Sequence, residues 1–326
     1  MSHLVAIVGP TAIGKSKLAI RLAGAFNGEI VSADSRQIYR FMDIGTAKPS
    51  PEELSLIPHH LVNIINPDED FSLAQYQRLA NRAINDIQKR GKLAVLVGGS
   101  GQYVWSILEG WGVPEVPPDP EFRQSLAERA SREGEGKLYQ ELRKVDPDSA
   151  RDINPNNVRR VIRALEVYQS TSIPFSRLKS KQKPPFETMI IGLTTDRAEL
   201  YRRIDSRVDG MIEQGLVAEV DRLLNMGYGL ELPAMSSIGY KQIGAFLNGG
   251  LPLPAAIQQI KFETHRFVRH QYAWFQLKDS RIRWVDIGSN NTESQITESF
   301  TRFTAGTVET KLLLSPPTSR KGTHII

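Results

Sequence analysis

The sequence predicts an α/β fold, a doubly wound parallel sheet with helices on both faces and a smaller helical insertion. Short apolar runs of strand length recur at 4–8, 29–33, 61–65, 93–97 and 189–193. Runs that are apolar on both faces mark strands covered on both sides, as in a parallel sheet. Helical patterns lie between the runs, and a glycine-rich segment follows the first one directly, where a strand hands over to a helix.

Between the third and fourth runs Ser72 is placed to cap a helix, with Gln75 three residues on in capping-box position. Leu73, Tyr76, Ala80, Ala83, Ile84 and Ile87 then make one apolar face, and Gly91 suits the stop. From Gly112 to Pro120 the chain turns proline-rich and reads as an extended connector leaving the core. The following stretch, 121–168, is helical and charged, and a second linker at 179–185 returns the chain to the sheet. Long helices are expected over 196–224 and 254–277, and a closing strand over 281–287. After Gly288 the chain is rich in Ser, Thr and Asn without periodicity. The expected organisation is therefore a core over 1–115, a mainly helical insertion over 116–186, a return to the core over 187–288 and a largely disordered tail over 289–326.

The totals agree with this plan. At 326 residues the chain exceeds one average domain, and its 40% apolar share is ample for a packed interior. A net charge of +5 permits a polyanionic partner without requiring one. The absence of cysteine excludes disulfides, thiolate zinc sites, iron–sulfur clusters and a thiol nucleophile. No apolar stretch reaches the ~18–20 residues of a membrane helix, and the first run is too short for a signal segment. The expectation is a cytoplasmic, monomeric enzyme with no membrane contact and no obligate protein partner.

Gly9-Pro10-Thr11-Ala12-Ile13-Gly14-Lys15-Ser16 fits the pattern G-x-x-x-x-G-K-[ST] between an apolar strand and a helix. Backbone amides at a helix N-terminus cradle phosphate oxygens, Lys15 adds charge and Ser16 can hold Mg²⁺. The motif specifies phosphate and not which phosphate, so alone it favours a kinase or NTPase. Asp34 follows the second run, where open α/β sheets place their chemistry, although an aspartate there also caps turns. The strand at 93–97 ends in Gly98-Gly99-Ser100-Gly101 and not in the carboxylate an ATPase uses for magnesium; these glycines read as close backbone approach to a substrate.

Taken with Asp34-Ser35-Arg36-Gln37, Asp43-Ile44-Gly45-Thr46-Ala47-Lys48-Pro49, Gly98-Gly99-Ser100-Gly101-Gln102-Tyr103, Arg159-Arg160-Val161-Ile162-Arg163-Ala164-Leu165-Glu166, Ser237-Ile238-Gly239-Tyr240-Lys241-Gln242 and Thr264-His265-Arg266-Phe267-Val268-Arg269-His270-Gln271, the chain resembles the tRNA dimethylallyltransferase (tRNA isopentenyltransferase) family from Gly9 to about Trp274. Ser100 stands where that family usually has Thr, keeping the hydroxyl, and Gln102 where it usually has Leu. The resemblance implies dimethylallyl diphosphate and Mg²⁺ at the loop. It also implies a flipped adenosine of the tRNA anticodon stem-loop, at tRNA position 37, as acceptor. Asp34, Lys15 and Thr11 become the candidate catalytic residues, with Asp34 as the base on the adenine amine. Gly9, Pro10, Thr11, Ala12, Ile13, Gly14, Lys15, Ser16 and Arg207 become the diphosphate site. The tRNA contacts implied are Asp34, Ser35, Arg36, Gln37, Ser100, Arg123, Arg159, Arg160, Arg163, Lys241, Arg266, Arg269 and Gln271.

The chemistry suits these residue types. Adenine's exocyclic amine is a poor nucleophile, so attack on an allylic carbon needs proton removal, which a carboxylate in hydrogen-bond reach supplies. The departing diphosphate gathers negative charge, which fixed donors stabilise. Arg207 could close over the same oxygens or remain a solvated helix-face residue. Arg159, Arg160 and Arg163 form a basic cluster, or a solvated helix face. Along 261–284, Lys261, Arg266, Arg269, Lys278, Arg281 and Arg283 interleave with Phe262, Phe267, Tyr272, Trp274 and Phe275. The cations can neutralise phosphates, and the rings can stack on bases or pack the core. His265 and His270 stand five apart, which does not stack them for a shared metal; His59 and His60 read as structural. Prenyl transfer to free AMP or ATP and a small-molecule or nucleotide kinase remain as alternative functions, and a non-catalytic RNA-binding module as the weakest.

Overall fold

The computed structural model describes residues 2–178 and 180–288, together with 296, 298, 300 and 303. In chain order its elements are β1 (Ser2–Val8), α1 (Lys15–Ala25), β2 (Gly28–Ser32), α2 (Pro51–Leu56), β3 (His59–His60), α3 (Leu73–Lys89), β4 (Leu93–Val97) and α4 (Gly101–Leu108). The helices α5 (Pro120–Glu133), α6 (Glu135–Val145), α7 (Pro147–Asp152), α8 (Val158–Thr171) and α9 (Phe175–Leu178) follow. The chain closes with β5 (Phe186–Thr194), α10 (Arg197–Glu213), α11 (Leu216–Asn225), α12 (Tyr240–Leu247), α13 (Leu253–Trp274) and β6 (Ile282–Asp286).

The strands form one sheet in the order β3-β2-β4-β1-β5-β6, and every neighbouring pair is parallel. Apolar runs make central strands because both of their faces are covered. In β1, Val5 and Ile7 join the core shared with α1 and α10–α13, while Leu4, Ala6 and Val8, which point the other way, are equally buried. The fold class read from the sequence is the one observed. The third strand differs: β3 is His59–His60, not 61–65. Leu61 and Asn63 take left-handed φ of 64° and 57°, which breaks the extended backbone, and Ile65 retains only an isolated bridge to Tyr39. Leu61 is apolar because it is buried and not because it pairs.

The chain divides into two compact units, 1–71, 78–104 and 185–326 in the first, and 72–77 and 105–184 in the second. The helical second unit thus takes in Trp105 and the residues after it, ahead of the expected start at 116. Its core is built by Leu126, Leu138, Leu142, Ile153, Val161 and Leu165, and its helices are capped in turn by Asp119, Asp146 and Asn157. Ser72 and Gln75 exchange the capping-box bonds expected, 2.7 Å and 3.2 Å. In the first unit, Ala80, Ile84 and Ile87 of α3 are fully buried.

The expected irregular tail, 289–326, lies outside the described residues except at four positions. Ile296, Glu298, Phe300 and Phe303 are helical, and the three apolar ones are buried in the core of the first unit. Phe300 meets the Phe26 ring at 4.2 Å and Phe303 meets His3 at 4.9 Å between centroids. A full-size aromatic is lost from a packed site when Phe300 is truncated. Phe300→Ala should therefore cost about 3–5 kcal/mol in urea unfolding, whereas a tail free of the core would leave the transition where it was.

Candidate active site

At the end of β1 the backbone turns through 9–14 and re-enters a helix at Lys15. Gly14 has φ 98°, a conformation that a side chain would strain, and it leads directly into the first turn of α1. Amides of that turn have no intrahelical partner, and the helix dipole makes this end positive. Lys15 folds back over the loop and its Nζ donates to the Pro10 carbonyl at 2.7 Å. Burial lowers the Lys15 ammonium from its ordinary 10.5 to about 7; Asp34 opposes the shift and Arg207 adds to it. Ser16 stands exposed beside it.

The loop forms one wall of a cavity of about 290 Å³ in the first unit, through Thr11 and Ala12. Asp34, just past β2, forms a second wall with Ser35 and Arg36. Asp34 both caps a turn and faces the cavity. Its Oδ1 caps the turn, accepting from the Arg36 amide at 2.8 Å and the Gln37 amide at 3.4 Å, and the residue lines the cavity. Arg207, half-buried on α10, lines the cavity and does not stand on an open helix face. Its burial pulls the guanidinium pKa down, and Asp34 pulls it up. Beyond these charges the wall becomes apolar, built by Ile204, Val208, Met211, Ile260 and Phe267. One chamber thus joins an anion cradle, a carboxylate and a hydrocarbon surface.

The glycines at 98–101 allow close approach of the protein itself, and Gly99 also lines the cavity. A Cβ on Gly98 would lie 2.0 Å from the Ala33 carbonyl oxygen, one on Gly99 2.1 Å from Gln271, and one on Gly101 2.1 Å from the Trp274 ring. Ser100 joins the turn to the carboxylate loop, its Oγ accepting from the Ser35 amide at 3.0 Å. Gln37 is turned inward. Its Nε2 donates to the carbonyls of Thr46 and Ala47, at 3.3 Å and 3.1 Å, and its Oε1 accepts from the Ser32 hydroxyl. Arg36 donates to the Pro233 carbonyl at 2.9 Å.

The implied RNA contacts divide. Arg266 and Arg269 of α13 and Lys241 of α12 are exposed, and Arg159 and Arg160 of α8 are exposed in the second unit. Arg123 and Arg163, also in the second unit, are held by the buried Glu166: Arg123 as a fork at 2.7 and 2.8 Å, Arg163 at 2.6 Å. Both are therefore engaged within the protein, and Arg163 of the basic cluster does not stand on a solvated helix face. Gln271 departs furthest, being buried and engaged with the phosphate loop. His265 stacks on Tyr201, 4.0 Å between centroids, with Asp205 at 2.9 Å. Of the aromatic residues on α13, Phe262, Phe267 and Trp274 are exposed.

Two groups escaped the sequence reading. Glu219, buried on α11, accepts from the consecutive amides of Asp43, Ile44 and Gly45 and from the Tyr240 hydroxyl at 2.6 Å. It thereby shapes the loop that holds Gln37. A lone acid on an amphipathic helix gives no signal of this, and Tyr240 was visible only as part of a motif. Among the described residues no three His, Asp, Glu or Cys side chains gather at a metal-binding distance.

A parallel sheet whose first strand opens into a phosphate loop, with a carboxylate and an apolar wall across the same chamber, defines a P-loop enzyme built to move an apolar group off a phosphate. The chain belongs to the IPP transferase family, whose model matches residues 37–278. The loop at 9–16 and Asp34 precede that match. The chain is 53% identical over 276 residues to a tRNA dimethylallyltransferase of Roseiflexus sp., covering 85% of this chain and 90% of that one. It is 54% identical over 285 residues to a tRNA dimethylallyltransferase of Chloroflexus aurantiacus, covering 87% and 96%. Among solved structures it is similar to a tRNA isopentenylpyrophosphate transferase of Bacillus halodurans (39% identity, TM-score 0.69, 94% and 97% coverage). It is also similar to a eukaryotic dimethylallyltransferase described as acting on tRNA (26%, TM-score 0.78, 98% and 82%).

The lowered Lys15 pKa has a measurable sign. A bound anion favours the ammonium, so binding takes up a proton wherever the empty site is deprotonated, and affinity falls as pH rises through about 7. Inorganic pyrophosphate should therefore bind more weakly at pH 8.5 than at pH 7 relative to Lys15→Met, which lacks the group. Parallel pH profiles for the two proteins would place the titration elsewhere.

Proposed function

We infer that this protein transfers a dimethylallyl group from dimethylallyl diphosphate to the exocyclic N6 of the anticodon-loop adenosine in tRNA. The observation that carries the reading is the single cavity in which Asp34 faces the phosphate loop beside an apolar wall. A kinase needs the cradle but has no use for that wall, and a free nucleotide needs no RNA-facing helix such as α13.

In this reading the five-carbon chain lies on Ile204, Val208 and Met211, and its diphosphate lies on the loop amides, Lys15 and Arg207. The adenine N6 attacks the allylic carbon as the carbon–oxygen bond breaks. The free oxygen of Asp34 accepts the N6 proton, and the bonding pair leaves with the diphosphate. Lys15 and Arg207 stabilise the charge that gathers there, an interaction stronger in the transition state than before it. Thr11 presents its hydroxyl beside the breaking bond. Mg²⁺ would be held chiefly by the substrate phosphates, with few protein oxygens. The exposed Ser16 hydroxyl would suit that role. When bound, the ion supplies further neutralisation of the leaving group.

On the RNA side, exposed Arg266 and Arg269 meet phosphates, and the exposed rings of Phe262, Phe267 and Trp274 offer stacking faces for bases displaced from the loop. Arg159, Arg160 and Lys241 are further phosphate contacts. Arg123, oriented by Glu166, is a further contact to the nucleic acid.

Mass analysis of tRNA nucleosides after incubation with dimethylallyl diphosphate and Mg²⁺ should yield a prenylated adenosine. Labelling of AMP with none in tRNA would overturn the assignment, and phosphoryl transfer from ATP would replace it. Asp34→Ala should lower kcat by ~10²–10⁴ with tRNA affinity little changed, and unaltered turnover removes Asp34 from the chemistry. Arg266→Ala and Arg269→Ala should each flatten the salt dependence of tRNA binding by about one unit, as read by filter binding across a salt series.

A further inference from the structure

Gln271 is a buried amide on the last turns of α13 that neither the reacting groups nor an RNA surface explains. Its Oε1 accepts from the Thr11 amide at 2.8 Å, and its Nε2 donates to the Gly99 carbonyl at 3.2 Å. The side chain therefore bridges the loop after β1 and the turn after β4. Gly99 leaves it room, since a Cβ there would lie 2.1 Å from Nε2. Three residues on, the Trp274 ring covers Gly101 in the same way. Both contacts come from one helix.

We propose that Gln271 is a positioning residue that fixes Thr11 against Asp34 by tethering the phosphate loop to α13. A part-buried loop amide needs a hydrogen-bond partner, and for Thr11 that partner is Gln271. Because the amide and the hydroxyl of Thr11 belong to one residue, holding the first orients the second. Removing the tether leaves the Thr11 amide and the Gly99 carbonyl without their partner, and the loop relaxes to meet water. The inference rests on the prenyl transfer assigned above, since it concerns the geometry of that step.

The test is a cycle of Gln271→Leu, Thr11→Ala and the double variant, with Gln271→Glu as the conservative change. Gln271→Leu should lower kcat on the order of 10²-fold, the penalty of a displacement near 1 Å, while tRNA affinity stays as it was. Gln271→Glu keeps the acceptor for Thr11, loses the donor to Gly99, and should lose less. If Gln271 acts through Thr11, the double variant is no slower than Thr11→Ala. Wild-type turnover in Gln271→Leu, or losses that multiply in the double variant, would overturn the proposal. Should Gln271→Leu fail to fold, the same cycle with Gln271→Glu decides. Pyrophosphate binding keeps this question apart from the function: Gln271→Leu should bind it about tenfold more weakly, and equal affinity counts against the tether. A wild type that binds pyrophosphate and prenylates nothing would instead overturn the assigned reaction.

Discussion

Two cations, Lys15 and Arg207, interact with one carboxylate, Asp34, at the chamber that Arg207 and Asp34 line. Lys15 and Arg207 are both pushed by burial toward losing their protons, and only Asp34 resists. Such a pair is stable in a protein interior only with an anion at hand or with enough solvent to soften the repulsion. The chamber is thus poised to gain most from a doubly charged ligand. A neutral product carrying no phosphate would gain nothing from it.

The scaffold holds that imbalance with ordinary means. Parallel strands bring the loops after β1, β2 and β4 to one edge of the sheet, where open α/β folds collect their chemistry. Each loop is then tied to another: Ser100 to Ser35, Gln271 to Thr11 and Gly99, Glu219 to the backbone of 43–45. Most of these ties are side chain to backbone, which lets irregular loops sit near a core without leaving polar groups unmatched.

How far the sequence could be read depended on the kind of constraint. The phosphate loop was legible because its spacing is dictated by backbone geometry between a strand and a helix, and Asp34 because its strand ends in a recognisable way. Arg207 was named but left undecided, since an arginine on an amphipathic helix looks alike whether it faces a chamber or water. The turn at 98–101 was read as a close approach to a substrate, whereas protein atoms crowd it and Gly99 also lines the cavity: sequence says that space is short and not all that fills it. Long-range partners were illegible for the same reason. Gln271 lies 260 residues from Thr11, and Glu219 176 from Asp43, so no local pattern marks either pair. At 61–65 apolar character was taken for a strand, whereas Leu61 is buried without pairing and Ile65 keeps one isolated bridge.

The helix α13 spans 22 residues without a break. Ile260 faces the chamber, Gln271 meets the phosphate loop, and Trp274 seals Gly101. A helix turns about 100° and climbs about 1.5 Å per residue, so deleting one residue between Ile260 and Gln271 would swing every later side chain off its mark. Length variation in this region must therefore be absorbed outside the helix, in the segments that join it to α12 and β6. The rod acts as a ruler, and evolution can repaint its outer face far more readily than it can change its gauge.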